Sequence, residues 1–174
     1  GLRTADDTDM FNGAPDRYDW TLVGKKEIYI PYNNYRVTSP EVKYKDLLTP
    51  GHINPKYTRY ELHRVWVVEG KLKPGARHIY SKRTLYLDED SWGAAVVDQY
   101  DGRGELWRVS MAYLKNFYEQ PMVWTALDTF HDLQSRRYSV QWLDNEEPGT
   151  ADFSKPAPDV AEFSPAALRR KASR

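Results

Sequence analysis

Four histidines, at positions 52, 63, 78 and 131, carry the most versatile chemistry in this chain, because imidazole can ligate a metal or move a proton near neutral pH. Their spacing fits neither use. None pairs i, i+4 as helical zinc ligands do, and none sits in an HExxH or nucleophile-elbow pattern. They read as strand and loop residues with structural hydrogen bonds. Asp98, Asp101 and Glu105 suggest an acid/base set. However, Asp101 precedes Gly102 in a turn signature that explains it by backbone chemistry, and acids beside a hairpin tip are normally solvated. No catalytic residue, metal or cofactor is expected. Arg64 near Trp66, and Arg108 near Trp107 and Tyr100, have two readings: cation–π layers within a sheet, or polar handles inside an apolar cavity. The basic run "RRKAS" at 169–173 resembles a kinase site but reads as a solvated helix end.

Length and composition bound the scaffold behind these residues. The chain has 174 residues, enough for one domain with its own core. It has no cysteine, which removes disulfides, thiolate metal sites and a cysteine nucleophile. Lys+Arg 25 and Asp+Glu 25 cancel, and phosphate binding needs a clustered positive excess, so no nucleic-acid partner is expected. No apolar run approaches the ~20 residues of a membrane-spanning helix, and "GLRTADDTDMFNG" is unlike an export signal, so a soluble chain is expected. The unusual quantity is aromatic content, 14% in a chain only 40% hydrophobic.

Most of those rings fall on segments of period two. Residues 20–32, 57–72, 78–88, 92–100 and 105–115 alternate as strands, the second long enough to predict a bend or bulge near Gly70. Pro74-Gly75 predicts a type II turn, and Asp101-Gly102 a tight hairpin. "WTALDTFHDL" and "RRYSVQWL" predict a further hairpin across 132–136. Ser39 before Pro40 predicts a short helix over 40–48, and Ser164-Pro165 a terminal one. The sequence thus divides into a sheet domain at 1–143, an acidic proline-containing arm at 144–163 and a basic terminal helix at 164–174. On the 57–72 strand, Leu62, Arg64 and Trp66 alternate with His63, Val65 and Val67, so apolar groups occupy both faces. Such a sheet must be covered on both sides or curl around a core, a helix or a ligand.

Four stretches, "GLRTADDTDMFNGAPDRYDW" (1–20), "KKEIYIPYNNYR" (25–36), "RYELHRVWVVE" (59–69) and "DQYDGRGELWRV" (98–109), resemble the C-terminal part of the bacterial family called domain of unknown function 1329. The likeness continues to "FSPAALRR". That family in turn resembles the periplasmic lipoprotein carrier and receptor proteins LolA and LolB. The resemblance implies a mainly β fold, a curved antiparallel meander forming an unclosed half-barrel, with a short helix and a C-terminal arm and helix. It also implies a periplasmic or outer-membrane-associated, non-enzymatic protein that binds a lipophilic molecule or acyl chain, with an exporter or outer-membrane partner. The chain would be the latter part of a longer protein, with an exposed edge or face covered by a second copy or by the missing segment. Expected cavity-wall residues are Leu62, Trp66, Val68, Leu85, Val96 and Leu106, with Arg64 and Arg108 as polar handles. A different role, docking a partner or second copy through the sheet edge and the 144–174 arm, fits the same pattern.

Overall fold

A computed structural model describes residues 1–148 and 158–173. The alternating segments form β1 (Tyr18–Pro31), β2 (Leu48–Thr49), β3 (His52–Ile53), β4 (Tyr60–Leu72), β5 (Lys82–Asp88), β6 (Ala94–Tyr100), β7 (Leu106–Phe117), β8 (Met122–Asp132) and β9 (Arg137–Gln141). β2 and β3 make a small hairpin, and the other seven strands build one sheet in the order β1-β4-β5-β6-β7-β8-β9. Every pairing is antiparallel. From β4 onward the strands are sequential neighbours, the arrangement that short connections favour. The sheet stays open, with β1 and β9 at its edges. It is nevertheless curled: just past β1, Asn34 N donates to Leu114 O on β7 (3.0 Å), and Asn116 Nδ2 donates to Asn33 Oδ1 (2.7 Å).

Cross-strand partners share a face, so the register sorts the side chains. One row runs Val68, Leu85, Val97, Ser110, Phe130 and Ser139 on what we call the front face. The next front row is polar: Arg83, Gln99, Arg108 and Asp132. The back face carries Val67, Tyr86, Val96, Met111, Thr129 and Val140. Both faces are covered, as the two-sided alternation requires. Residues 1–13, with a 3-10 turn at Ala5–Asp7, lie over the front, where Met10 and Phe11 pack with Leu85, Val97 and Phe130. The link from β1 to β4 crosses the back, where Val37, Val42, Leu47 and Ile53 pack on Tyr113, Ala126 and Leu127. Asn145, just after β9, holds that link down by donating from Nδ2 to Val37 O (2.8 Å) and Ser39 O (3.0 Å).

Three local expectations are corrected. The helix expected over 40–48 is only α1 (Tyr44–Leu47), because Ser39 caps a tight turn in which Val42 N reaches Ser39 O (3.0 Å). The Asp101-Gly102 hairpin uses a longer loop: Asp101 accepts from the amides of Arg103 (2.9 Å) and Glu105 (3.0 Å), and the positive φ belongs to Gly104 (84°). The irregularity expected near Gly70 of β4 is carried by its partner strand: β1 shifts register between Leu22 and Gly24, opposite Val68 and Val67. Gly70 serves close approach, since a Cβ there would lie 2.6 Å from Trp20 Cζ3. Gly70→Ala should therefore cost about 1–3 kcal/mol. A double-mutant cycle in urea checks this, because the cost should largely vanish in a Trp20→Leu background.

Other turns form as read. Gly75 has φ 83° and Ala76 N bonds Lys73 O (3.1 Å), the Pro-Gly turn. The terminal helix α2 (Pro165–Ala172) starts where Ser164 Oγ accepts from Ala167 N (3.2 Å), with Arg169, Arg170 and Lys171 in its last turn. The acidic arm expected over 144–163 falls outside the described residues at 149–157.

Candidate functional site

The polar front row creates a problem that the N-terminal segment solves. Arg83 and Gln99 are buried to 0% and 1% exposure, and an unpaired guanidinium there would be prohibitively desolvated. Asp7 supplies the counter-charge, with Arg83 Nη1 to Asp7 Oδ1 at 2.6 Å. Tyr80 Oη donates to Asp7 Oδ2 (3.1 Å), and Arg108 Nη1 donates to Tyr80 Oη (3.0 Å). Arg108 also pairs with Asp132 (3.3 Å) and reaches Gly1 O (2.9 Å). Both guanidinium groups of this network are paired with a carboxylate, which makes it a fastening for the N-terminal cover.

Where the cover ends, an opening remains. A cavity of about 230 Å³ lies between the β5–β6 turn and the β7–β8 hairpin. Its buried lining includes Met10, Ala112 and Leu114, its rim includes Trp92 and Trp124, and Asp128 lies within it. A second opening of about 520 Å³, lined by Phe117, Tyr118, Met122 and others, shares Ser91 and Val123 with the first, so the two adjoin as one cleft. Trp92 is 68% exposed and Trp124 57%, unusual positions for such large rings. Trp92 is held there by backbone: its φ is 60°, and its amide bonds Asp88 O (2.9 Å). Asp9 (φ 49°) and Met10 (φ 68°), also lining residues, share this strained region. Left-handed non-glycine residues collect at ligand sites, because the surrounding structure must over-determine them.

Asp128 is the polar group of this cavity. It is 1% exposed, accepts from Thr125 Oγ1 (2.8 Å) through Oδ1, and among the described residues has no hydrogen-bond partner for its buried Oδ2. Burial pushes its carboxyl up to about 6, and the Asp9 carboxylate adds to the rise against the opposing effects of Thr125, Trp142 and Arg3. The sequence reading passed over this residue. The legible signal was its register: Asp128 shares the inward face with Phe130, a place where an unpaired carboxylate demands a reason.

The residues expected as cavity walls are distributed across the sheet. Leu62, Trp66, Val68 and Leu85 share the front face. Leu62 is 55% exposed beside Tyr29 on the β1 edge, and Leu85 is buried in the core. Val96 lies on the back, and Leu106 is exposed at the start of β7. None of the six lines the two openings, but Trp66 stacks on Trp92 (6.5 Å between centroids, 13° between planes) and so braces the rim. Arg64 is exposed and paired with Glu89, and Arg108 belongs to the buried network.

The acidic set and the histidines take separate structural roles. Asp98 accepts from Tyr86 Oη (3.0 Å), while Asp101 caps its loop. His63 Nδ1 lies 2.8 Å from Asp88 Oδ1, and its Nε2 lies 3.3 Å from Glu61 Oε2. With Asp90, His63 and Asp88 bring three donor atoms within 4.8 Å of one another, a group able to hold a metal ion. Asp88 is also satisfied without one, since Ser91 N (3.0 Å) and Ser91 Oγ both donate to Oδ2. Burial alone would lower the His63 pKa, but its hydrogen bonds to Asp88 and Glu61 outweigh that and raise it. The protonated ring thus stabilises the fold fully below its unfolded value of about 6.5, and that contribution disappears as pH rises through the higher folded value. His63→Gln should therefore be destabilising at pH 5.5, with the gap to wild type narrowing toward pH 8.5 in urea titrations.

Residues 1–169 match the model of a family described as protein of unknown function (DUF1329). An uncharacterized protein of Pseudomonas aeruginosa is 54% identical over all 174 residues, and the chain spans 38% of that relative's length. Among solved structures, a domain named as an outer membrane lipoprotein-sorting protein, from Vibrio parahaemolyticus, aligns with 94% of this chain and 53% of its own (12% identity, TM-score 0.45). A DUF1329 family protein from Desulfovibrio piger aligns with 88% of this chain and 48% of its own (14% identity, TM-score 0.44).

Proposed function

Since the chain belongs to DUF1329, a family of unknown function, its role must be argued from its own geometry, and we propose that it binds a lipophilic molecule in the cleft between Trp92 and Trp124. The observation that carries this reading is the cleft's construction: a buried apolar lining, two exposed indoles at the rim and strained backbone holding the rim in place. Ligand sites are usually pre-formed, mostly apolar and a few hundred Å³ in volume. The two adjoining openings together have room for an acyl chain or a molecule of similar width. The proposed role is a non-enzymatic carrier or receptor domain, the reading that the apolar lining and the indole rim support. A periplasmic or outer-membrane-associated setting, with an exporter or outer-membrane partner, is part of the same proposal. No helix among the described residues is long and apolar enough to cross a membrane.

Native mass spectrometry of the gently purified protein, together with titration of an apolar fluorescent probe, tests the reading. Bound lipophile or probe is expected, weakened about tenfold or more by Trp92→Ala or Trp124→Ala, given the area that an indole contributes. Absence of both signals, or binding indifferent to both substitutions, overturns it.

A second reading, docking of a partner or a second copy, draws on exposed apolar groups along the β1 edge, Leu22, Val23 and Tyr29, and around α2, Phe163 and Leu168. Removing residues 158–174 should then change oligomeric state or partner capture while leaving the sheet folded, read by light scattering and circular dichroism. An unchanged assembly sets it aside.

A further inference from the structure

Asp128 is a poor choice for a site meant only to hold hydrocarbon. Its carboxyl shares a cleft lining with Met10, Ala112 and Leu114, accepts from Thr125 Oγ1 and is favoured in its charged form by the Trp142 side chain, yet Oδ2 has no partner at hydrogen-bonding distance among the described residues. The charged groups near it come from the N-terminal cover. Asp9 lines the same cleft and repels it. Arg3 is drawn elsewhere, donating to Thr4 O (3.2 Å) and Thr8 Oγ1 (2.9 Å) and lying over the Phe130 ring (5.4 Å). The cleft therefore presents two carboxylates, one of them buried and half-satisfied, between two indole rings. Each feature favours a cation: a donor for Oδ2, a positive charge between Asp9 and Asp128, and an ammonium group against indole faces. A fatty carboxylate would meet the opposite field, and a neutral alcohol would gain a hydrogen bond without relieving the charge.

We propose that this cleft selects amphiphiles bearing a protonated amine, with Asp128 receiving the ammonium group and the Trp92–Trp124 rim enclosing the carbon attached to it. This rests on the lipophile-binding reading above and names the ligand class for that site. The same chemistry could arrive as a free amine or as the amino headgroup of a membrane lipid.

The experiment uses the full chain and three ten-carbon probes below their micelle concentrations, decylamine, decanol and decanoate, followed by tryptophan fluorescence and calorimetry. At pH 7.5 decylamine should bind about tenfold tighter than decanol, the worth of one charge-assisted hydrogen bond, with decanoate weakest. Asp128→Asn should abolish the preference, bringing decylamine affinity down to that of decanol. It should also raise the thermal midpoint at pH 7.5, because it removes an unpaired buried charge. If that variant does not fold, the wild-type pH dependence keeps the test open. The amine preference should collapse between pH 7.5 and pH 5 as Asp128 takes up a proton, and a preference unchanged over that range counts against the proposal.

Equal affinity for decylamine and decanol, or a preference that survives Asp128→Asn, overturns this inference and leaves the lipophile reading standing. Failure of all three probes overturns both. Vesicles of phosphatidylethanolamine separate the two sources. Lipid found on the protein by native mass spectrometry after incubation supports the headgroup, and decylamine binding without lipid transfer supports a free amine.

Discussion

Asp7→Ala is expected to destabilise the protein by about 3–5 kcal/mol, the usual cost of removing one partner from a buried ion pair. Arg83 has 0% side-chain exposure, and after the substitution its guanidinium would retain, among the described residues, long contacts with Tyr18 Oη (3.4 Å) and His78 Nε2 (3.5 Å) and its place over the Phe11 and Tyr80 rings, but no counter-charge beside it. For a chain of this length the loss corresponds to a fall of roughly 10 °C in thermal midpoint. The effect should also be local: amides of residues 1–13 should exchange hydrogen faster than those of β6 and β7, because Asp7 fastens the cover to the sheet. Guanidinium unfolding with hydrogen exchange reads both quantities. Replacing Arg83 by methionine in the same chain should recover much of the loss, since the isolated charge, not the missing contact, dominates it. A midpoint within a few degrees of wild type, or uniform exchange, would show that the cover is held by Met10 and Phe11 packing alone.

The second large effect belongs to the opposite face. Leu127 is 0% exposed at the centre of the cluster where the β1–β4 link lies on the sheet. Leu127→Ala should cost about 2–5 kcal/mol, the transfer term plus the cavity left behind. The cavity would open against Val37, Leu47 and Ile53, so faster exchange is expected in the 36–57 link while the front cover stays protected. Tyr138, whose hydroxyl donates to Thr49 O (2.9 Å) and His52 O (3.0 Å), holds the link independently and should limit the damage to loosening. Loss of protection in residues 1–13 of this variant would contradict two separately fastened covers.

The two substitutions also mark what alternation could reveal. The period-two pattern placed β4, β7 and β8 correctly, because side chains of a strand must take opposite faces whatever packs on them. Pro74-Gly75 and Ser164-Pro165 were legible for the same kind of reason: their backbone preferences act within four residues. Asp101-Gly102 was misjudged because Gly104 competed for the left-handed position and Asp101 found two amides to cap. Gly70 was misjudged because the ring that needs its missing Cβ, Trp20, comes from fifty residues earlier.

The candidate site was less legible than the fold. Of the six residues expected as cavity walls, Leu62, Trp66, Val68 and Leu85 share one face but none lines the cleft, and Trp92, Trp124 and Asp128 were passed over, since a turn tryptophan and a strand aspartate look like surface residues in a linear reading. Arg83 shows the same difficulty. A guanidinium on a strand reads as solvent-facing until a carboxylate at a distant position is found to bury it.

By itself, then, the sequence determined the local matters: an antiparallel, mainly β chain without cysteine chemistry, its principal turns, its terminal helix cap and the need to cover both faces. These follow from backbone sterics and alternation, which depend on neighbours along the chain. Tertiary structure decided which segment covers which face, that Asp7 makes the polar row buriable, and that the front cover stops at Met10 and leaves a cleft beside Asp128. Those outcomes depend on the desolvation of charges by residues scores of positions away, a quantity that exists only once the chain has folded.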